Sequence, residues 1–144
     1  MVALTANTVR RKRAPGEVRS GALGASQTIF VGSMLMRNAS GQLIKGAVAT
    51  GSTGVGVATR SAVSVGAGDT MVDYEEGPFL MANSASADEI VAADIGKVCW
   101  IVDDNTVAKT NGTNTRSRAG VVVAVDAQGV WVRFDEALTR VAAT

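Results

Sequence analysis

Residues 119–134 read AGVVVAVDAQGVWVRF, and this stretch decides the fold class. Two valine-rich runs, residues 119–125 and 130–134, flank the four residues 126–129, which contain an aspartate and a glycine. Valine favours β-strands, and a short Asp- and Gly-containing segment between two such runs is typical of a hairpin turn. We therefore predict a β-hairpin at this point of the chain.

Short β-type runs separated by turn residues continue towards the N-terminus. Turns rich in glycine, serine, asparagine or aspartate follow one another about every ten residues, for example at 38–41, 51–54 and 66–69. Such spacing is typical of a small sandwich or barrel rather than of a sheet with crossover helices. Gly56 lies inside the run 55–58, where a glycine indicates a bulge or a close backbone approach.

Two segments before the hairpin have other patterns. Residues 97–102 are almost continuously apolar, which predicts a strand buried on both faces. In residues 84–95, serine and aspartate stand near the start, and Ile90, Val91 and Ile95 share one face at helical spacing. Because Gly96 suits the residue after a helix end, we expect one short helix at about residues 86–95, lying on the sheet.

The composition argues against most catalytic and metal-binding chemistry. The chain has no histidine, which is the commonest general acid or base and the commonest metal ligand. Cys99 lies in an apolar run without a histidine partner, so we interpret it as a buried hydrophobic residue. Residues 51–56 lack the lysine of a phosphate-binding loop, and Asp103 and Asp104 fit a solvated turn. We expect no enzyme activity, no metal and no cofactor.

Positive charge is concentrated at the N-terminus. The net charge is +1, yet residues 1–20 hold five basic residues and one acidic residue, whereas the remainder holds nine basic and twelve acidic residues. Such asymmetry marks an interaction arm. No aromatic residue is present in this segment to stack on bases, so we expect a protein partner and no nucleic acid. The candidate contact residues are Arg10, Arg11, Lys12, Arg13 and Arg19.

These patterns divide the chain into three parts. We expect an extended basic arm at residues 1–20, a β-rich domain at 21–134 and a short tail at 135–144. The fold class is mainly β, a small β-sandwich or β-barrel with one short helix and the extended N-terminal arm. The start is polar and then basic, unlike a signal peptide, and no apolar run has the length of a membrane helix. We therefore expect synthesis in a cytoplasm and no membrane association.

Several segments of the chain, taken in order, form one pattern. Residues 3–7 are followed by a basic stretch, and residues 54–58 lie in the centre of the chain. The C-terminal third contains ADEIVAADIGK (87–97), VDDNTVAKT (102–110), TNTRSRAG (113–120) and VDAQGVWV (125–132). Each segment is weak alone, but in this order and spacing, over most of the chain, they resemble the capsid cement, or head decoration, family of tailed bacteriophages, and the C-terminal third is the most similar part.

The resemblance implies a structural virion protein that binds the outside of the expanded phage head and stabilises contacts between capsomers. Its partners would be the major capsid protein and further copies of itself, with trimers at threefold positions favoured. It would be made in the bacterial host cytoplasm and reside on the outer surface of the capsid. The alternative is another virion component of β-barrel fold, such as a tail or head-completion protein. A small β-barrel hydrolase is the remaining class, and this sequence has no histidine to serve it.

Overall fold

In the computed structural model of this 144-residue chain, the described residues are Ala6 and 18–142. Within them the chain forms twelve β-strands, two single 3-10 turns and one α-helix. The strands are β1 Arg19–Ala22, β2 Thr28–Ile29, β3 Met34–Arg37, β4 Leu43–Lys45, β5 Thr53–Ala58, β6 Ala62–Val63, β7 Met71–Glu75, β8 Gly77–Asn83, β9 Val98–Ile101, β10 Thr106–Ala108, β11 Arg118–Asp126 and β12 Gly129–Phe134. The helix α1 spans Glu136–Val141.

Five strands close into a small barrel. Strand β11 pairs antiparallel with β12, and β12 pairs antiparallel with β8. Strand β8 pairs parallel with β10, which pairs antiparallel with β9, and β9 returns to β11. The prediction of a mainly β fold, either a small β-sandwich or a small β-barrel, is confirmed, and of the two the structure shows the barrel. The buried residues that these strands and the segment before β9 contribute to the core are Met81, Ile90, Cys99, Ile101, Val107, Ala119, Val122, Val130, Val132 and Phe134.

The predicted hairpin is strands β11 and β12. The Asp126 carboxylate accepts hydrogen bonds from the backbone N–H groups of Gln128, at 2.8 Å, and Gly129, at 3.2 Å. These bonds and the Asp126–Gly129 pairing fix a tight turn between the strands, as the sequence predicts. The register shifts between Val122 and Ala124, so a β-bulge interrupts the β11 ladder.

The remaining strands extend the sheet beyond the barrel. Strand β5 pairs with β11, β3 and β7, while β3 pairs with β4 and β7 pairs with β1. A single parallel bridge between Leu23 and Leu43 joins the chain just after β1 to β4. These extra strands therefore curl around a second core of their own. Its buried members are Leu23, Ile29, Leu35, Leu43, Val55, Ala58, Val72 and Tyr74.

A bulge in β5 lets that strand supply both cores. Leu35 pairs with Gly56 and Met36 pairs with Gly54, so Val55 is the extra residue. In a regular strand Val55 and Val57 would face the same way, but the bulge places Val55 in the second core and Val57 in the first. The sequence prediction of a bulge or close approach around Gly56 is confirmed.

The helix predicted at about residues 86–95 does not form, and two 3-10 turns, Ser86–Asp88 and Ala92–Asp94, take its place. The physical reason lies at Ile90 between the turns, whose side chain is buried in the barrel. The Asn83 side chain accepts from the Ile90 N–H and donates to the Ile90 C=O, both at 2.9 Å. Both backbone groups are thereby engaged, so helical hydrogen bonding cannot propagate through this residue.

The α-helix found within residues 18–142, α1, lies instead in the segment assigned to the C-terminal tail. Asp135 caps α1 by accepting a 3.0 Å hydrogen bond from the Leu138 N–H, and the helix packs on β5 and β11. The expectation for residues 97–102 also needs correction. In β9, Cys99 and Ile101 are buried while Val98 and Trp100 are half-buried, because one face of this barrel strand lies outside the core.

Candidate interaction surface

Of the five predicted contact residues, the structure describes Arg19. It lies in β1, paired opposite Tyr74 of β7, and its guanidinium forms a 2.7 Å ion pair with Glu76. The first two residues of β1 thus belong to a segment that the sequence assigned to the arm. This arginine is held against the body of the protein by its own ion pair. The other four, Arg10, Arg11, Lys12 and Arg13, lie outside the described residues.

Next to Arg19, a charged network attaches α1 to the body. Glu136 bonds Arg37 of β3 at 3.0 Å and Arg140 of its own helix at 2.8 Å. Burial raises the pKa of Glu136, but hydrogen bonds from Arg140 and Arg37 outweigh it and lower the pKa below the usual value. The carboxylate therefore stays ionised and ties the C-terminal helix to β3, one of the strands outside the barrel.

Cys99 and the acidic side chains are the described groups in which reactive or metal-binding chemistry would be sought. Cys99 is fully buried, and desolvation raises its thiol pKa to about 12, so the thiolate is absent at neutral pH. In residues 18–142 no group of three or more Cys, Asp or Glu side chains converges in a way that would hold a metal ion. Across the same residues, no helix combines the length and the apolar character needed to cross a bilayer.

The most unusual surface is an outward-facing β-ribbon. Strands β2 and β6 pair antiparallel, with Thr28 opposite Val63 and Ile29 opposite Ala62. The pairing extends further, because the Ser26 N–H donates to the Val65 C=O at 3.0 Å. We call the exposed side of this pair the ribbon face: it comprises Ser26, Thr28, Phe30, Ser61, Val63 and Val65.

On β6 the usual alternation is reversed, whereas β2 keeps it, with Thr28 exposed and Ile29 buried. An antiparallel strand with one solvated face normally turns its valines towards the core and its polar residues towards water. In this ribbon Val63 and Val65 are 65% and 80% exposed, and Phe30 is 62% exposed, whereas Ser64 between the valines is buried. The sequence shows the alternation of residues 62–65 but not its direction, which depends on the side of the ribbon that meets the body.

Buried polar contacts determine which side of the ribbon faces the body of the protein. The Ser64 hydroxyl donates to the Gly24 C=O at 2.6 Å and accepts from the Gln27 N–H at 3.0 Å. The Gln27 side-chain oxygen accepts in turn from the Lys45 N–H at 2.8 Å. Turning the ribbon over would leave these groups without partners, which costs about 1–3 kcal/mol for each buried group. The buried hydrogen bonds of Ser64 and Gln27 therefore keep the apolar side chains of the ribbon face exposed to solvent.

Comparisons of the chain with protein-family models, with curated proteins and with solved structures found no match.

Proposed function

We propose that this chain is a capsid cement protein, a structural virion component that binds the outside of an expanded phage head. The observation that carries the proposal is the ribbon face, on which Phe30, Val63 and Val65 are exposed while a serine is buried beneath them. A contiguous apolar and uncharged surface on a folded domain is typical of the centre of a protein interface. The sequence resemblance to phage head decoration proteins supports the same function.

The ribbon face suits a shell surface better than a second copy of the chain as its main partner. A stable complex buries about 800 Å² on each side, and three apolar side chains with three small hydroxyl residues cover far less than that. Such a contact is weak alone, but it becomes effective when many copies bind a repeating lattice and when one copy touches several subunits. Each bound copy then stabilises the lattice state that it recognises.

We further propose that the protein acts on the capsid exterior as a homo-oligomer, with trimers at threefold positions of the shell, and without enzymatic activity. A threefold arrangement gives each trimer three identical ribbon faces, so attachment at one position is reinforced by the other two. Light scattering of the purified full chain measures the oligomeric state directly, and a monomer at the concentrations used for shell binding would contradict the trimer.

Binding to phage heads tests the function. The purified chain is mixed with expanded heads that lack it and with unexpanded precursor heads, and bound protein is measured after sedimentation. We expect saturable binding to expanded heads, little binding to precursors, and greater resistance of decorated heads to heat. Absence of binding to expanded heads would contradict the proposal. A single ring of copies at the neck in electron micrographs would identify a head-completion or tail protein instead.

A pair of double variants tests the role of the ribbon face. We expect Val63→Ser with Val65→Ser to leave the thermal unfolding temperature nearly unchanged, because both side chains are already exposed, and to weaken binding to heads severalfold or more. The matched control is Val48→Ser with Val141→Ser, which removes two valines that are 56% and 70% exposed elsewhere. Equal binding by the two double variants would show that the ribbon face is not the contact.

A further inference from the structure

Asn111 alone among the asparagines of the sequence is followed by a glycine, Gly112. In such a pair the backbone nitrogen of the glycine can attack the side-chain carbonyl carbon of the asparagine, because glycine has no Cβ to shield its nitrogen. The attack closes a succinimide ring and expels ammonia. Asn111–Gly112 is therefore the place in this sequence where spontaneous deamidation is chemically most favoured, and the surrounding structure decides whether it proceeds.

This Asn-Gly pair opens a left-handed turn between β10 and β11. Residues 112–114 all have left-handed backbone angles, with φ of 63°, 62° and 62°. The N–H groups of Thr115 and Arg116 both donate to the Asn111 C=O, at 3.0 and 3.1 Å, and close the turn. Left-handed angles are unfavourable for a β-branched residue such as Thr113, so the turn persists only while the contacts around it hold it.

The Asn111 carboxamide is bonded to Asn114 at both of its ends. Its Nδ2 donates to the Asn114 Oδ1 at 2.9 Å, and its Oδ1 accepts from the Asn114 N–H at 3.1 Å. The Gly112 N–H donates to the Thr110 hydroxyl oxygen at 3.4 Å, and this hydroxyl donates in turn to the Asp88 carboxylate. The reacting side chain and the attacking nitrogen are therefore both engaged in hydrogen bonds in the folded protein.

These hydrogen bonds oppose deamidation. Ring closure moves the side-chain carbonyl carbon of Asn111 onto the Gly112 nitrogen, and an efficient reaction needs the two atoms aligned within about 3–3.5 Å. The two bonds to Asn114 hold the carboxamide against Asn114 instead. Moreover, Nδ2 is the atom that leaves, so its bond to the Asn114 Oδ1 must break. The reaction therefore requires the turn to open first, and its rate falls with the fraction of time for which the turn is open.

We propose that Asn111–Gly112 is a spontaneous deamidation site that the left-handed turn holds almost inactive while the protein is folded. The Gly112 nitrogen gives its proton to water and bonds to the side-chain carbonyl carbon of Asn111. The bond from this carbon to Nδ2 then breaks, and Nδ2 takes up a proton and leaves as ammonia. Water opens the succinimide at either carbonyl and leaves aspartate or isoaspartate at this position. The assignment does not depend on the proposed binding to phage heads.

The modification removes the contacts that close the turn. The new carboxylate has no N–H to donate to the Asn114 Oδ1, so two acceptor oxygens face each other. In isoaspartate the main chain also runs through the former side-chain carbon, which displaces the Asn111 C=O from the N–H groups of Thr115 and Arg116. The unfavourable left-handed angle of Thr113 then favours release of the turn. Opening of the turn is thereby made permanent in each modified copy.

Incubation of the full chain at neutral pH in water enriched with oxygen-18 tests the proposal. The heavy oxygen marks every residue deamidated during the incubation, and tandem mass spectrometry of the digested chain distinguishes Asn111 from Asn114. The chain unfolded in guanidinium chloride gives the unrestrained rate. We expect modification of Asn111 in the unfolded chain, and a rate at least about tenfold lower in the folded chain. Equal rates in the two states, or an unmodified Asn111 in the unfolded chain, would overturn the proposal.

Two glycine variants separate the side-chain pairing from backbone freedom. Asn114→Gly removes the Oδ1 that holds Asn111, while glycine fits the left-handed angle without strain. Thr113→Gly is the matched control, because it adds the same backbone freedom at the preceding left-handed residue and leaves the pairing intact. With folding verified by circular dichroism, we expect Asn111 to deamidate severalfold faster in Asn114→Gly than in Thr113→Gly. Equal rates in the two folded variants would refute the restraint by Asn114.

Discussion

Replacing Gly54 by alanine tests whether the crossing of β5 and β11 needs a residue without a side chain. A Cβ at Gly54 would lie 2.1 Å from the Ala119 carbonyl oxygen and 2.8 Å from its carbonyl carbon. Both obstructing atoms belong to the backbone of the buried residue Ala119, so no side-chain rotation relieves the clash. The two strands must separate by roughly 1 Å to reach a normal contact distance.

The expected loss of stability follows from the position of β5 between the two cores. All six residues of Thr53–Ala58 are buried, and the strand supplies Val55 to one core and Val57 to the other. Overpacking a single core costs about 1–3 kcal/mol, and here the displaced strand disturbs two cores at once. We expect Gly54→Ala to lower the free energy of unfolding by about 3 kcal/mol or more, a large share of the ~5–15 kcal/mol of a typical domain.

Urea denaturation, followed by tryptophan fluorescence and circular dichroism, measures this loss. Gly66→Ala is the matched control: its backbone angle is ordinary and its added Cβ would lie 3.5 Å from an Asp69 side-chain oxygen, a normal contact. We expect the control to change stability by less than about 1 kcal/mol. A loss below about 1 kcal/mol for Gly54→Ala would refute the reasoning, since it would show that β5 and β11 separate easily.

Three further predictions concern the ends of the chain. Asp135→Ala removes the cap on the Leu138 N–H and should cost about 1 kcal/mol in urea denaturation, with no loss contradicting the cap. The lowered pKa of Glu136 means that its stabilising contribution exists above the unfolded value and is lost as pH falls through the folded value. Glu136→Gln should therefore be less stable at pH 7, and the difference in unfolding free energy from the parent should begin to narrow below about pH 4.3 and vanish once the pH is below the lowered pKa of the folded state; a difference independent of pH would disprove this. Deleting residues 1–17, which leaves Arg19 and β1 intact, should weaken binding to heads more than it lowers thermal stability, and unchanged binding would refute a role for the arm.

Local sequence signals predicted the elements whose stabilising contacts are themselves local. The hairpin of β11 and β12 is one example, because Asp126 bonds backbone groups only two and three residues away. Near Ser86 and Asp94 the polar residues also form local turns. The Asp94 carboxylate, for example, accepts a hydrogen bond from the Val91 N–H at 2.9 Å. The predicted helix did not form there, because the Asn83 side chain, seven residues before Ile90, bonds both backbone groups of Ile90.

Local sequence patterns could not predict the candidate surface, because its geometry depends on contacts between residues far apart in the chain. The direction of the ribbon depends on Ser64 meeting Gly24, forty residues earlier in the chain. The junction of β5, β9 and β11 depends on Arg118 pairing with both Thr53 and Trp100, and a parallel pairing such as that of β5 with β11 has no local signature. The C-terminal helix did have a signal, an aspartate followed by a glutamate and later an arginine, but it is only six residues long.

The sharing of β5 between two cores has a mechanical consequence. A pull on the second core passes into β5 and is resisted by its hydrogen bonds to β3, β7 and β11, without a flexible linker in between. Separating the part of the domain around the first core from the part around the second core requires the hydrogen bonds of β5 to all three neighbouring strands to break together. The described domain therefore behaves as one stiff unit under tension. If the chain binds a phage head as proposed, this stiffness would let small contacts at its surface resist stretching of the shell.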